Sequence, residues 1–188
     1  MYFPFFRGKR FELLALRNCI EKISSSKVVI PIVEPVKLDL KDLRSYLQVY
    51  TEHNQQNILV VNPKCGQLSG KMRQLEELKA DVKSNHRNTG FAYWIDDGTS
   101  TGEVTAFLNT VGNTTKFYFI HESAYAVPAE LLDFSRNQNF GGHIFIADGS
   151  SRAYQAQFRE ANCILIQDNF SKLARNADYA MACHQIES

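Results

Sequence analysis

The chain contains no G-x-G-x-x-G, no P-loop, no G-x-S-x-G elbow and no H-E-x-x-H. Dinucleotide-binding, NTP-hydrolysing, α/β-hydrolase and zinc-protease chemistry therefore lose their main sequence support. Cysteine is equally uninformative as a ligand, because Cys19, Cys65, Cys163 and Cys183 are scattered, with no C-x-x-C pair and no Cys/His cluster at zinc spacing. Cys19 and Cys163 lie in apolar stretches, which predicts buried reduced thiols and suits a reducing cytosol. No stretch approaches the roughly 18 apolar residues of a membrane helix. The aromatic opening Met1-Tyr2-Phe3-Pro4-Phe5-Phe6 carries its charges after it, at Arg7, Lys9 and Arg10, and is too short for a signal sequence. A cytoplasmic protein is expected. Excess charge is missing too: 21 Lys+Arg against 20 Asp+Glu leave +1, so no global field draws the protein to nucleic acid or an anionic membrane. A local basic patch stays open.

What is present is a repeat. At 188 residues, 44% hydrophobic, the chain suffices for one domain with its own core, without disulfide or metal staples. About seven times, a short run of β-branched and aromatic residues stops on a polar or acidic residue and gives way, through a turn, to a helical-period segment. The strands are read at residues 2–6, 28–33, 58–61, 91–95, 116–120, 143–147 and 163–167. The helices are read at 11–17, 40–50, 72–82, 103–110, 128–134 and 154–160. Asp39 is the expected N-cap of the second helix.

Apolar strands of this kind predict a parallel sheet buried on both faces. Two closures compete, an open doubly wound sheet and a (β/α) barrel. The missing dinucleotide fingerprint and the seven units favour a TIM-barrel-like α/β repeat, incomplete or open at its C-terminus. Residues 1–188 are read as one βα-repeat domain, with 171–188 a polar tail lacking an eighth strand.

The opening residues 1–9 with Phe11-Glu12-Leu13 and Ala15-Leu16-Arg17, then Ile30-Pro31-Ile32-Val33-Glu34-Pro35-Val36-Lys37, form an ordered set with later segments. These are Val61-Asn62-Pro63-Lys64, His143-Ile144-Phe145-Ile146, Asp168-Asn169-Phe170 and Arg175-Asn176-Ala177-Asp178-Tyr179. The set resembles a family of uncharacterised bacterial proteins that is itself similar to the phage beta protein group. The resemblance implies a barrel-like βα architecture and a gene neighbourhood with a companion nuclease-like protein, in a defence or mobile-element setting. It carries no activity. Family members continue well past the Arg-Asn-Ala-Asp-Tyr segment, which implies that the last part of the fold is absent, truncated or supplied by a partner.

In parallel α/β sheets, side chains from different strands converge where the strands end. That rim is expected to hold Glu34, Asn62, Lys64, Asp96, Asp97, His121, Glu122, Asp148 and Asp168, joined by Arg7 and Lys9 after the first strand. Glu34, Asp96, His121, Asp148 and Asp168 are the catalytic candidates, and Arg7, Lys9 and Lys64 the anion-binding ones. Glu34, Asp96, Asp148 and Asp168 are ligand candidates for Mg or Mn in metal-assisted phosphoester hydrolysis.

Each has a plainer reading. Asp97, Asp148 and Asp168 stand where N-caps and turn formers stand. Arg7-Gly8-Lys9-Arg10 also reads as a solvated basic turn. His121 also reads as an oriented structural histidine. His143, at the start of its run, is expected to point to the opposite rim and is set aside. Tyr93, Trp94, Phe117, Tyr118 and Phe119 are expected in the core.

The function expected from these readings is a non-catalytic binding or scaffold component of a bacterial conflict system, without cofactor, acting through a protein partner or a homodimer. The metal-dependent phosphoester hydrolase, on nucleotide or nucleic acid, is the alternative. A toxin-neutralising immunity protein is a weaker one. Whether the chain is an enzyme is left open.

Overall fold

β-branched and aromatic side chains pack best on a pleated surface, and each apolar run becomes a parallel strand. The computed structural model describes residues 1–147 and 149–167. The chain opens with β1 (Phe5–Phe6), α1 (Arg10–Asn18), α2 (Ile20–Ser26), β2 (Ile32–Val33) and α3 (Lys41–Glu52). There follow β3 (Asn57–Val60), α4 (Met72–Asn85), β4 (Thr89–Ile95), α5 (Thr101–Val111) and β5 (Phe117–His121). The described part ends with α6 (Pro128–Phe134), β6 (Phe140–Ile146), α7 (Arg152–Ala156) and β7 (Cys163–Ile166).

The seven strands form one sheet in the order β1-β2-β3-β4-β5-β6-β7, and every neighbouring pair is parallel. A doubly wound sheet reverses its strand order at a switch point, and this sheet has no reversal. Successive parallel crossovers of one hand place all helices on the same face, and the sheet curls away from them into an open half-barrel. Two apolar layers result. Between sheet and helices lie Val33, Leu59, Phe91, Phe119 and Phe145, packed with Leu16, Tyr46, Leu78, Phe107 and Phe158. The concave face is lined mainly by strand residues, among them Ile32, Ile58, Val60, Trp94, Ile120, Ile144 and Ile164. Among the described residues helices thus cover one face and not two, and the strands are apolar on both sides because the concave side is lined by its own side chains. Trp94, Phe117, Tyr118 and Phe119 are buried as expected, and Tyr93 is half-buried.

Some local expectations are corrected. Leu40, not Asp39, is the N-cap of α3, although the Asp39 carboxylate still accepts the Lys41 N–H at 3.0 Å. The cap of α5 is Ser100 and not Asp97: its hydroxyl accepts the Glu103 N–H while the Glu103 carboxylate accepts the Ser100 N–H. Cys19 and Cys163 are exposed free thiols rather than buried ones. Cys19 sits in the break between α1 and α2. Cys163 lies on the edge strand β7, after which no helix follows among the described residues. Asp148, Asp168 and the tail 171–188 lie outside the described residues. Among those described, no helix is long and apolar enough to cross a membrane.

Candidate functional site

At the carboxyl ends of the strands the structure builds two polar clusters. In the first, the Lys64 ammonium, just beyond β3, donates to both Asp96 and Glu122, beyond β4 and β5. Burial alone would lower the Lys64 pKa, but the hydrogen bonds that its ammonium donates to the two carboxylates, with their charges, outweigh it and raise it. The Asp96 carboxyl is held below its ordinary range, first by Lys64 and then by the Thr99 hydroxyl and Gly98 N–H donating to Oδ1. Lys64 also lies 5.9 Å from the Trp94 ring centre. Asn62 clamps the neighbouring strand, its amide accepting the Trp94 N–H at 2.8 Å and donating to the Trp94 carbonyl at 3.1 Å.

The second cluster hangs on Glu34, only 2% exposed. One of its oxygens accepts the Lys64 backbone N–H at 2.9 Å, and the other accepts the Cys65 thiol at 3.4 Å. The Arg7 guanidinium in turn donates to the Cys65 sulfur at 2.9 Å. Burial pushes the Cys65 thiol pKa up and Glu34 adds to this, with Arg7 acting against both. Glu34 and Asp96 therefore spend both their oxygens on protein donors. Among the described residues no three His, Cys, Asp or Glu side chains lie together as a metal site.

Of the anion-binding candidates, Arg7 and Lys9 share one crevice, while Lys64 is turned away from it toward its carboxylates. Asp97 is exposed and its N–H donates to Ser123 at 2.9 Å.

His121 ends β5 but is fully buried between sheet and helices. Its imidazole stacks on Phe145 at 4.5 Å and packs against Phe158. His143, set aside on the sequence, is its partner. β6 begins three residues before it, at Phe140, so the side chain lies mid-strand and points in beside His121. A chain of hydrogen bonds runs from Tyr154 to His121 at 3.0 Å, to His143 at 2.9 Å and to Ser135 at 2.8 Å. Ser135 donates its proton to the Leu131 carbonyl, so it accepts from His143 Nε2. Assigned from that end, His121 donates from Nε2 and Tyr154 donates to His121 Nδ1, and every member is satisfied. Burial pushes His121 down to about 2 and His143 to about 3, and Tyr154 up to about 12. Both imidazoles are neutral and fully buried, while Ser135 at the end of the network is half-buried.

A wide opening lies on the concave face itself. Between β1 and β7 a groove of about 1400 Å³ is lined by Phe3, Phe5, Trp94, Tyr118, Ile164 and Ile166. Among the described residues nothing pairs with its backbone edges. Tyr2, Pro4 and Phe6 offer their carbonyls to β2, and Asn162 and Ile166 offer theirs to β6. The alternate residues Phe3 and Phe5, and Cys163 and Leu165, therefore turn their N–H and C=O groups toward the gap. The Trp94 indole N–H, 9% exposed, has no partner among the described residues. Gly141 belongs to this wall: a Cβ there would stand 2.2 Å from the Tyr118 ring, a constraint that an isolated Gly-Gly pair announces only as a weak bulge signal. Compared with models of known protein families and with curated protein sequences, the chain matches none.

Proposed function

We propose that this chain is a non-catalytic binding protein that captures a strand-and-helix unit of a protein partner between β1 and β7, completing a TIM-barrel-like ring. One observation carries the reading. β7 is apolar on both faces, as a fully covered parallel strand is, yet among the described residues Leu165 on its outer face is 60% exposed and Ile164 and Ile166 on its inner face line an open groove. On the far side of the gap Met1 is 80% and Tyr2 64% exposed. Paired strand edges and a covered apolar face are the ordinary remedies for such a surface. Strand addition supplies both.

On the resemblance read from the sequence, the partner proposed is one of a bacterial defence or conflict system, and free thiols at Cys19, Cys65 and Cys163 suit a cytoplasmic setting. The metal-dependent hydrolase draws less support, since Glu34 and Asp96 are saturated by protein donors. Nothing in the geometry favours the immunity-protein alternative.

Hydrogen exchange on the full chain, with bis-ANS binding and light scattering, tests the reading. As a monomer the chain is expected to exchange the amides of Phe3, Phe5, Cys163 and Leu165 far faster than those of β3 to β5. It is also expected to bind the dye in a way that Ile164→Asp abolishes. Edge amides protected only in a dimer would make a second copy the partner. Edge amides protected in a monomer that binds no dye would overturn the proposal.

A further inference from the structure

We infer that the crevice at the carboxyl ends of β1, β2 and β3 is a binding site for a small phosphate-bearing molecule. The site is independent of the groove between β1 and β7. Three loops meet there: Arg7 and Lys9 come from the β1–α1 loop, Lys37 from the β2–α3 loop, and Cys65 and Gln67 from the β3–α4 loop, around a cavity of about 630 Å³.

Two glycines make the meeting possible. Gly66 has φ +80°, and a Cβ on it would stand 2.3 Å from the Val36 carbonyl oxygen. Gly8 has φ +58°, and its Cβ would stand 2.9 Å from the Glu34 carbonyl oxygen. Both conformations belong to the left-handed region that glycine adopts without steric cost. The loops therefore touch backbone to backbone, and the cations they carry are drawn around one space. Like charges are not gathered this way for stability, since their mutual repulsion opposes the fold.

The charges are also uncommitted. Arg7, Lys9 and Lys37 form no ion pair among the described residues, whereas Lys64 on the same rim is held by two carboxylates. Among the described residues the one carboxylate lining the crevice, Asp39, is engaged with the Lys41 N–H. The α1 N-terminus contributes little, because Glu12 already accepts the Lys9 N–H. Attraction comes from the side chains. Arg7 is the aimed group: one N–H is fixed on the Cys65 sulfur, and Cys65 is anchored in turn on buried Glu34. The other donors of its guanidinium fork have no partner among the described residues. A fork held in place beside two mobile ammonium groups suits the tetrahedral oxygens of a phosphate. A phosphate fills only part of 630 Å³, which leaves room for an organic group beside it.

Calorimetric titration of the full chain with inorganic phosphate and with AMP tests this. Saturable binding is expected for at least one of them, weakened about tenfold or more by Arg7→Gln and severalfold by Lys37→Gln, and unchanged by Lys64→Gln. Arg7 and Lys37 are exposed, so circular dichroism spectra of these variants should match the wild type. AMP tighter than phosphate identifies an ester as the ligand, and equal affinities identify the free ion. No saturable binding to either probe overturns the proposal, and so does binding that Arg7→Gln and Lys37→Gln leave intact. Equal weakening by Lys64→Gln overturns it as well, because that result reports net charge and not the crevice.

Discussion

Two imidazoles 2.9 Å apart with no access to water make this protein sensitive to mild acid. His121 and His143 are held far below the ordinary value near 6.5, first by burial, so the folded state stays unprotonated where the unfolded chain takes up a proton at each. Their contribution is complete above pH 6.5 and is lost as pH falls from there toward 3. His86, lowered by the same loss of hydration, adds in the same direction. Each fully shifted imidazole is worth about 1.4 kcal/mol per pH unit below 6.5, so the pair costs about 4 kcal/mol by pH 5. Urea midpoints are expected to fall steeply between pH 6.5 and 5, before most carboxylates protonate. The double variant His121→Asn, His143→Asn keeps polar groups that do not titrate and should flatten that slope. An unchanged slope would transfer the acid sensitivity to other groups. At the same scale, Ser135→Ala removes the acceptor for His143 Nε2 and should cost about 1–3 kcal/mol, the penalty of a buried donor left alone.

At the scale of the element, local sequence and local structure agree where one physical term dominates. Residues 58–61, 91–95 and 117–120 are apolar or aromatic throughout because both faces of β3, β4 and β5 are buried, and that pattern was legible as parallel sheet. α2 was not legible. Its Ser24-Ser25-Ser26 reads as a turn, yet each hydroxyl donates to the carbonyl three residues back and closes the last turn of a short helix. Lys27 then ends it at φ 55°. His143 was missed because a strand start read from apolarity alone fell three residues late, past Phe140, Gly141 and Gly142. The rim was legible as a place, but its pairings were not: contacts such as Lys64 with Glu122 span 58 residues and leave no local signal. One cap was legible in principle, since Ser100-Thr101-Gly102-Glu103 is a capping-box sequence. Ser100→Ala should cost about 1 kcal/mol, read as a lower urea midpoint, while Asp97→Ala should leave the midpoint in place.

At the scale of the molecule, a half-barrel with an open side has a stability gradient across its sheet. Ile144 on β6 is fully buried on the concave face, whereas Ile166 on β7, two positions beyond Ile164 on the same face, is only half-buried at the groove's lip. Removing a packed isoleucine side chain leaves a cavity as well as lost transfer energy, so Ile144→Ala should cost about 2–5 kcal/mol. Ile166→Ala removes atoms that already face the opening, and a cost below about 1.5 kcal/mol is expected from the smaller area withdrawn from water. Leu165→Lys, on the bare outer face, should change stability by no more than about 0.5 kcal/mol. The three urea midpoints, measured on the chain alone, read the gradient directly. If Ile166→Ala costs as much as Ile144→Ala, something already covers the edge and the groove is not vacant for a partner. If the gradient holds, the chain alone folds with β7 only half committed. A partner that docks there is then expected to raise the cost of Ile166→Ala and of Leu165→Lys to core values, because it supplies the two faces that this strand is built to bury.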